Sequence, residues 1–212
     1  MKFHNIPQGS KEWFDIRKMK FTASKAQAIG SNGKGLETLA IELITEKYSN
    51  ADKRIINSQD IERGHELEPV ARGIYELETG NRVKEVGFIE IDKHTGISPD
   101  GLIGEIGGLE IKCLNDINHV KAILYGLKAV DNKYIWQVQM SLLLSKRKWW
   151  DLVLFNPNFS KNILIFRITK DDKMFEKLKE GIKKGKKLLK ELEKQYGRHK
   201  ISTTHSRGSG KQ

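Results

Sequence analysis

The sequence predicts an α/β fold in which a central mixed sheet is flanked by helices, and three observations carry that expectation. Apolar residues recur at helical spacing up to Gly80. Strand-like runs separated by turn residues follow from Arg82 to Leu114. Two further helical stretches and two further strands then succeed one another as far as Ile168. With 212 residues and 38% apolar content the chain can bury one sizeable core, and it is short for two ordinary enzyme domains. Residues 1–196 are therefore expected to form a single domain, with 197–212 as a polar, basic tail that has too little apolar content to fold.

The elements follow in order. Ser10 is a suitable N-cap for a short helix to Arg17 that places Trp13, Ile16 and Arg17 on neighbouring positions. Ser24 and Gln27 have capping-box spacing, so a second short helix is expected to open just after Ala23 and stop at Gly30. Leu36, Leu39, Ala40, Leu43 and Ile44 mark one amphipathic helix, and Leu67, Val70, Ala71, Ile74 and Tyr75 mark another. Strands are expected over Arg82–Ile91, Gly96–Ile103 and Leu109–Leu114 as antiparallel neighbours. Helices should cover Asp116–Leu124 and Asn132–Leu144. Strands Trp149–Phe155 and Asn162–Ile168 enclose the turn Asn156-Pro157-Asn158. A last helix carries the stripe Met174, Phe175, Leu178, Ile182, Leu189 and Leu192, weakened by Gly181 and Gly185 and otherwise crowded with lysine.

Lysine and arginine number 38 against 27 aspartate and glutamate, a net charge of +11 that favours a polyanionic partner, although lysines that merely solvate the surface give the same sum. The single cysteine, Cys113, excludes an intramolecular disulfide and a multi-cysteine zinc site, and is read as a small buried apolar residue. His4, His65, His94, His119, His199 and His205 show no metal-binding spacing. No secretory leader and no run of eighteen apolar residues is present, so a cytoplasmic protein without membrane contact is expected.

Chemistry concentrates in Ser98-Pro99-Asp100-Gly101 and Gly108-Leu109-Glu110-Ile111-Lys112. Glu110 and Lys112 are two apart on a strand and leave the same face, while Ile111 turns the other way. Pairing of the preceding strand across the glycine-rich turn brings Asp100 beside Glu110. Two adjacent carboxylates repel when both are ionised and are stabilised by a hard divalent cation between them; magnesium suits such oxygen ligands, with manganese as a substitute. A bound magnesium can polarise a phosphodiester and make its water easier to deprotonate. Lys112 then orients the water, assists its deprotonation or stabilises the developing charge. The alternative is a turn aspartate beside an ordinary Glu110–Lys112 ion pair.

Several blocks together resemble phage lambda exonuclease and the related YqaJ-type viral recombinases, within the PD-(D/E)xK nucleases. They are QGSKEWFDIRKMKFTAS, GHELEPVARGIYELETG, SPDG with its ten-position step to GLEIKC, and QVQMSLLLSKRKWW, in order from Pro7 to Pro157. The resemblance implies a restriction-endonuclease-like core and metal ligation by Asp100, Glu110 and the Ile111 carbonyl. It implies Lys112 at the nucleophilic water, and Glu68 and Gln137 around the active site, Glu68 reaching a second metal through water. Gln137 is preferred to Gln139 because residues two apart on a helix diverge by roughly 200°. Arg17, Thr22 and Ser24 match the positions that hold the 5′-phosphate of the resected strand; a guanidinium fork, two hydroxyls and a helix start suit an anion. Trp13 is expected in the core. Leu114 departs from the proline of lambda exonuclease, and the lysine-rich end lies outside the resemblance.

The function so implied is magnesium-dependent 5′ to 3′ digestion of linear double-stranded DNA, leaving a 3′ overhang for recombination. A homotrimeric ring and a single-strand annealing protein as partner follow from the same resemblance. The rivals are a structure-specific or restriction-like endonuclease on the same core and a non-catalytic DNA-binding module.

Overall fold

The computed structural model describes residues 1–49 and 59–205, the side chains at 59–61 and 199–205 excepted. In chain order the elements are β1 (Lys2–His4), α1 (Lys11–Arg17), β2 (Phe21–Thr22), α2 (Ala26–Ser31), α3 (Lys34–Tyr48), α4 (Gln59–Thr79), β3 (Val83–Lys84), β4 (Phe88–Asp92), β5 (Thr95–Ile97), β6 (Gly101–Ile103), β7 (Gly107–Cys113), α5 (Asp116–Tyr125), α6 (Asn132–Ser145), β8 (Trp149–Phe155), β9 (Ile163–Thr169) and α7 (Asp172–His205).

Two mixed sheets form where a single one is expected. The larger runs β3-β6-β7-β8-β9, with β7 and β8 parallel and the other pairs antiparallel; the smaller runs β1-β4-β5-β2, with β2 and β5 parallel. The expected strands Arg82–Ile91 and Gly96–Ile103 therefore each divide, β3 and β6 joining the large sheet and β4 and β5 the small one. The physical reason lies in partners far away in sequence: β1 claims β4, and β2 claims β5. At the break, a Cβ on Gly87 would stand 1.9 Å from the Ile6 carbonyl oxygen, so only glycine lets the N-terminal segment approach there.

The large sheet is covered on both faces. On one, Leu109, Ile111, Val153 and Phe155 pack against Ala71 and Tyr75 of α4. On the other, Leu102, Trp150, Leu152, Leu154 and Ile168 join residues of the small sheet and of α2, α3, α6 and α7. Burial on both faces explains why β8 reads as an almost continuous apolar run. Its one acid, Asp151, is buried but satisfied: it accepts from Tyr75 Oη at 2.7 Å and from Arg167 Nε and Nη2 at 2.9 Å each.

Other expectations need adjustment. Ser10 caps α1 as anticipated, accepting from the Trp13 amide. Ser24 makes no capping box: a 3-10 turn over Ala23–Lys25 precedes α2, and Ser24 Oγ pairs with Thr22 Oγ1 at 3.2 Å instead. Val70 faces solvent at 50% exposure rather than joining the α4 stripe. Gly181 and Gly185 are contact points rather than weak ones. A Cβ on Gly181 would meet the Ile29 carbonyl oxygen at 1.9 Å, and one on Gly185 would meet the Phe21 ring at 2.8 Å. Helix α7 continues past Arg198 to His205, beyond the point where the tail is expected to leave the fold; residues 206–212 lie outside the described residues. Among the described residues no helix is long and apolar enough to cross a membrane.

Candidate active site

The antiparallel β6–β7 hairpin pairs Gly101 with Leu109, which sets Asp100 opposite Glu110. Asp100 Oδ2 accepts from the Ile111 amide at 2.6 Å, so the acid is locked to the strand that carries its partner. Lys112 Nζ lies 2.6 Å from Glu110 Oε1, on the same face as the alternation requires, and 5.0 Å from the Tyr134 ring centroid. Helix α6 supplies Gln137, whose Nε2 donates to the same Glu110 Oε1 at 2.5 Å. Gln139 is turned away into the structure, where it donates to the Thr169 carbonyl and accepts from the Asp171 amide. Helix α4 contributes Glu68, which lines with Asp100, His65, Pro69, Arg72, Glu85 and the segment Asn5–Gln8 a cleft of about 480 Å³.

The electrostatics are those of an acid cluster short of positive charge. Burial and then the charge of Asp100 push the Glu110 carboxyl up to about 8, against the pull of Lys112. Burial, with Asp100 again, lifts Glu68 to about 7 although Arg72 opposes it. Asp100 is raised by burial as well. Burial on its own would lower the Lys112 ammonium, but Glu110 and Asp100 outweigh it and hold the proton on. Both partners of Glu110 share Oε1, and Oε2 is buried without a hydrogen bond. An orphaned carboxylate oxygen is costly unless something satisfies it. A divalent cation held by Asp100, Glu110 and the Ile111 carbonyl suits that orphan and the self-repelling charges alike. Among the described residues no three His, Cys, Asp or Glu side chains gather as a metal cage.

A second cavity, of about 210 Å³, is lined by Arg17, Thr22, Ser24, Trp13, Lys20 and Glu46 among others, so the three residues expected to hold a phosphate do meet. Arg17 Nη1 donates to Ser98 Oγ at 2.6 Å, and its guanidinium lies 4.0 Å over the Trp13 ring. Trp13 is half-buried outside the main apolar clusters: its Nε1 donates to the Gly87 carbonyl at 2.9 Å and to Ser98 Oγ at 3.1 Å. It is the platform on which the arginine rests, not the core residue expected. Burial brings the Arg17 guanidinium down to about 10, with the Glu46 carboxylate opposing.

The sequence assigns no role of their own to Ser98, His65 or Arg72; His65 and Arg72 line the larger cleft, and Ser98 accepts from Arg17. Ser98 was in view within SPDG, and Arg72 stands four residues after Glu68, the spacing of a helical ion pair. Cys113 is half-buried; burial pushes its thiol up to about 11.

An acid pair and a lysine on adjoining strands of a mixed sheet between helices define a PD-(D/E)xK fold. Residues 12–148, well over half of the chain, match the model of the YqaJ-like viral recombinase domain, and the chain belongs to that family. The solved structure of an alkaline exonuclease from Laribacter hongkongensis, LHK-Exo, is similar with a TM-score of 0.81 and 32% identity, over 92% of this chain and 100% of that one. The same enzyme in complex with dAMP matches with a TM-score of 0.81 at 31% identity and the same coverage. A phage related exonuclease from Haemophilus somnus 129PT shares the fold, with a TM-score of 0.63 at 16% identity over 86% and 98% of the two chains. No curated protein matches the chain.

Proposed function

We propose that the protein is a magnesium-dependent exodeoxyribonuclease that digests one strand of linear duplex DNA from its 5′ end and leaves a 3′ overhang for recombination. The observation that carries this reading is the tripeptide Ser98-Pro99-Asp100. Ser98 accepts a hydrogen bond from Arg17 and Asp100 belongs to the acid cluster, and two residues of extended chain span at most about 7 Å. A terminal phosphate gripped at one end of the tripeptide puts a phosphodiester roughly one nucleotide further along at the other. End recognition and single-nucleotide steps then share one rigid ruler.

Within that arrangement Arg17, held by Ser98, supplies a charge-assisted fork for the terminal phosphate, with Thr22 and Ser24 as hydroxyl partners. Asp100, Glu110 and the Ile111 carbonyl would hold magnesium, and manganese in its place, and Glu68 would reach a second ion through water. The bound ion supplies charge neutralisation at the phosphoryl group and a more acidic water. Gln137 fixes the Glu110 carboxylate through Oε1, and the protonated Lys112 Nζ beside it stabilises negative charge developing on the phosphoryl oxygens. The net charge of +11 favours DNA as the polyanion. The dAMP complex of the Laribacter enzyme and the kinship with alkaline exonucleases support the same substrate class. The family resemblance adds a ring-shaped homotrimer and a single-strand annealing partner to the proposal.

The test is digestion of a duplex labelled separately at each 5′ and 3′ end beside a covalently closed circle, with magnesium and after chelation. Loss of the 5′ label as mononucleotide, an intact circle and no turnover under chelation are expected. Cutting of the circle would replace this reading by an endonuclease. Arg17→Ala should lower the rate on 5′-phosphorylated ends far more than on 5′-hydroxyl ends at one fixed salt concentration; an unchanged phosphate preference would remove the end-recognition part.

A further inference from the structure

Arg72 occupies an unusual place for a helix-surface arginine. It lies four residues beyond Glu68 on α4, so the two side chains share one face, and its Nη2 stands 2.6 Å from Glu68 Oε1. Its other terminal nitrogen, Nη1, stands 2.8 Å from Oε2 of Glu85, in the connection between β3 and β4 that lines the same cleft. The Arg72 side chain is only 13% exposed, and its Nε is buried without a partner. An exposed i,i+4 pair is worth a few tenths of a kcal/mol and leaves both ends free to swing. This one is held at both ends of a planar fork. The guanidinium loses its Glu85 contact if it follows a rotating Glu68, and Glu68 gives up a part-buried, charge-assisted bond if it rotates toward Asp100 and Glu110.

We propose that Arg72 is the positioning residue for Glu68, and that Glu85, outside the acid cluster, is the anchor that gives Arg72 its direction. The inference rests on the nuclease reading above. It assigns Arg72 no contact with the reacting atoms: it acts through the Glu68 carboxylate, whose place at the cluster it fixes across the cleft.

Lysine keeps the charge but reaches Glu68 or Glu85, not both, so the arrangement separates charge from geometry. Initial rates are measured on a linear 5′-phosphorylated duplex for wild type, Glu68→Gln, Arg72→Gln, Arg72→Lys, Glu85→Gln and the double variants, with melting temperature as the fold control. Arg72→Gln should lower kcat roughly 10–100-fold, the usual loss when a partner that orients an active-site ligand is removed, with KM for DNA little changed. Arg72→Lys should recover part of that loss. Glu85→Gln, at a position 71% exposed, should melt like wild type and lower kcat several-fold, an effect that disappears in the Arg72→Gln background. Arg72→Gln should add little to Glu68→Gln. Equal losses in both backgrounds, or full activity of Arg72→Gln, would overturn the proposal. If Arg72→Gln fails to fold, Glu85→Gln against Glu85→Gln/Arg72→Lys decides the matter by the same non-additivity. A wild-type protein that digests nothing would instead defeat the nuclease reading itself.

Discussion

Replacing Glu110 by glutamine should leave stability unchanged near pH 5 and raise it increasingly toward pH 9 when divalent ions are chelated. The Glu110 carboxyl is raised from 4.5 to about 8 by burial and by Asp100. Between those two values the folded protein keeps a proton that the unfolded chain has released. The native state then binds more protons than the unfolded one, so the stability of the wild type falls as pH rises through this window and is level again above it. At about 1.4 kcal/mol per pH unit, the loss at pH 9 is on the order of 5 kcal/mol. Glutamine carries no titrating proton and resembles the protonated acid, so the difference between the variant and wild type should trace that loss. For a chain of this length it corresponds to a melting difference on the order of 10 °C. Thermal melts of both proteins in chelator from pH 5 to pH 9 measure it, the subtraction cancelling the groups that do not interact with Glu110, while Asp100, Glu68 and Lys112 respond to its charge and stay in the difference. Magnesium should stabilise the wild type more at pH 9 than at pH 5, because the ion requires the ionised carboxylates. Parallel melting curves for the two proteins across the range would refute the reasoning.

Three other substitutions test the placement of single residues. Gly181→Ala should destabilise the protein by about 1–3 kcal/mol in denaturant unfolding, although alanine is the better helix former by about 1 kcal/mol, because its Cβ would meet the Ile29 carbonyl oxygen. A stabilised variant would mean that α7 does not pack on α2 as described. Gln137→Ala should depress digestion at near-normal stability. Gln139→Ala, which orphans the Asp171 amide, should cost about 1–3 kcal/mol of stability and leave the specific activity of the folded fraction intact; the reverse pattern would show that the faces of α6 are exchanged.

What was legible in the sequence was local. Period two on β7 fixed the common face of Glu110 and Lys112, and period 3.6 on α6 separated Gln137 from Gln139, because both depend only on chain geometry. The helices α1, α5 and α6 fell within a residue or two of their expected bounds, β8 matched its own, and the stripe Leu36–Ile44 lies inside the longer α3. What escaped depended on distant partners. Nothing between Arg82 and Ile91 says that β1 will claim one half and β6 the other. Trp13 looks like any apolar aromatic until the Gly87 carbonyl and Ser98 arrive beneath its indole nitrogen. Ser24 has the spacing of a cap, but the Thr22 hydroxyl lies closer to hand. Gly181 and Gly185 read as flaws in a lone helix, and only the neighbouring α2 and β2 turn them into fittings.

The packing of α7 also bears on how the chain is made. Among the described elements this helix is synthesised after all the others, yet it lies against residues from the first forty: Gly181 against Ile29, and Gly185 against Phe21 and Leu36. Helix α3, which lends Leu39 and Leu43 to the wall of the Arg17 cavity, is backed by α7 as well. A nascent chain that has already emitted β6, β7 and the whole acid cluster still lacks the cover for its N-terminal third. The wall of the Arg17 cavity thus gains its backing only once α7 has emerged.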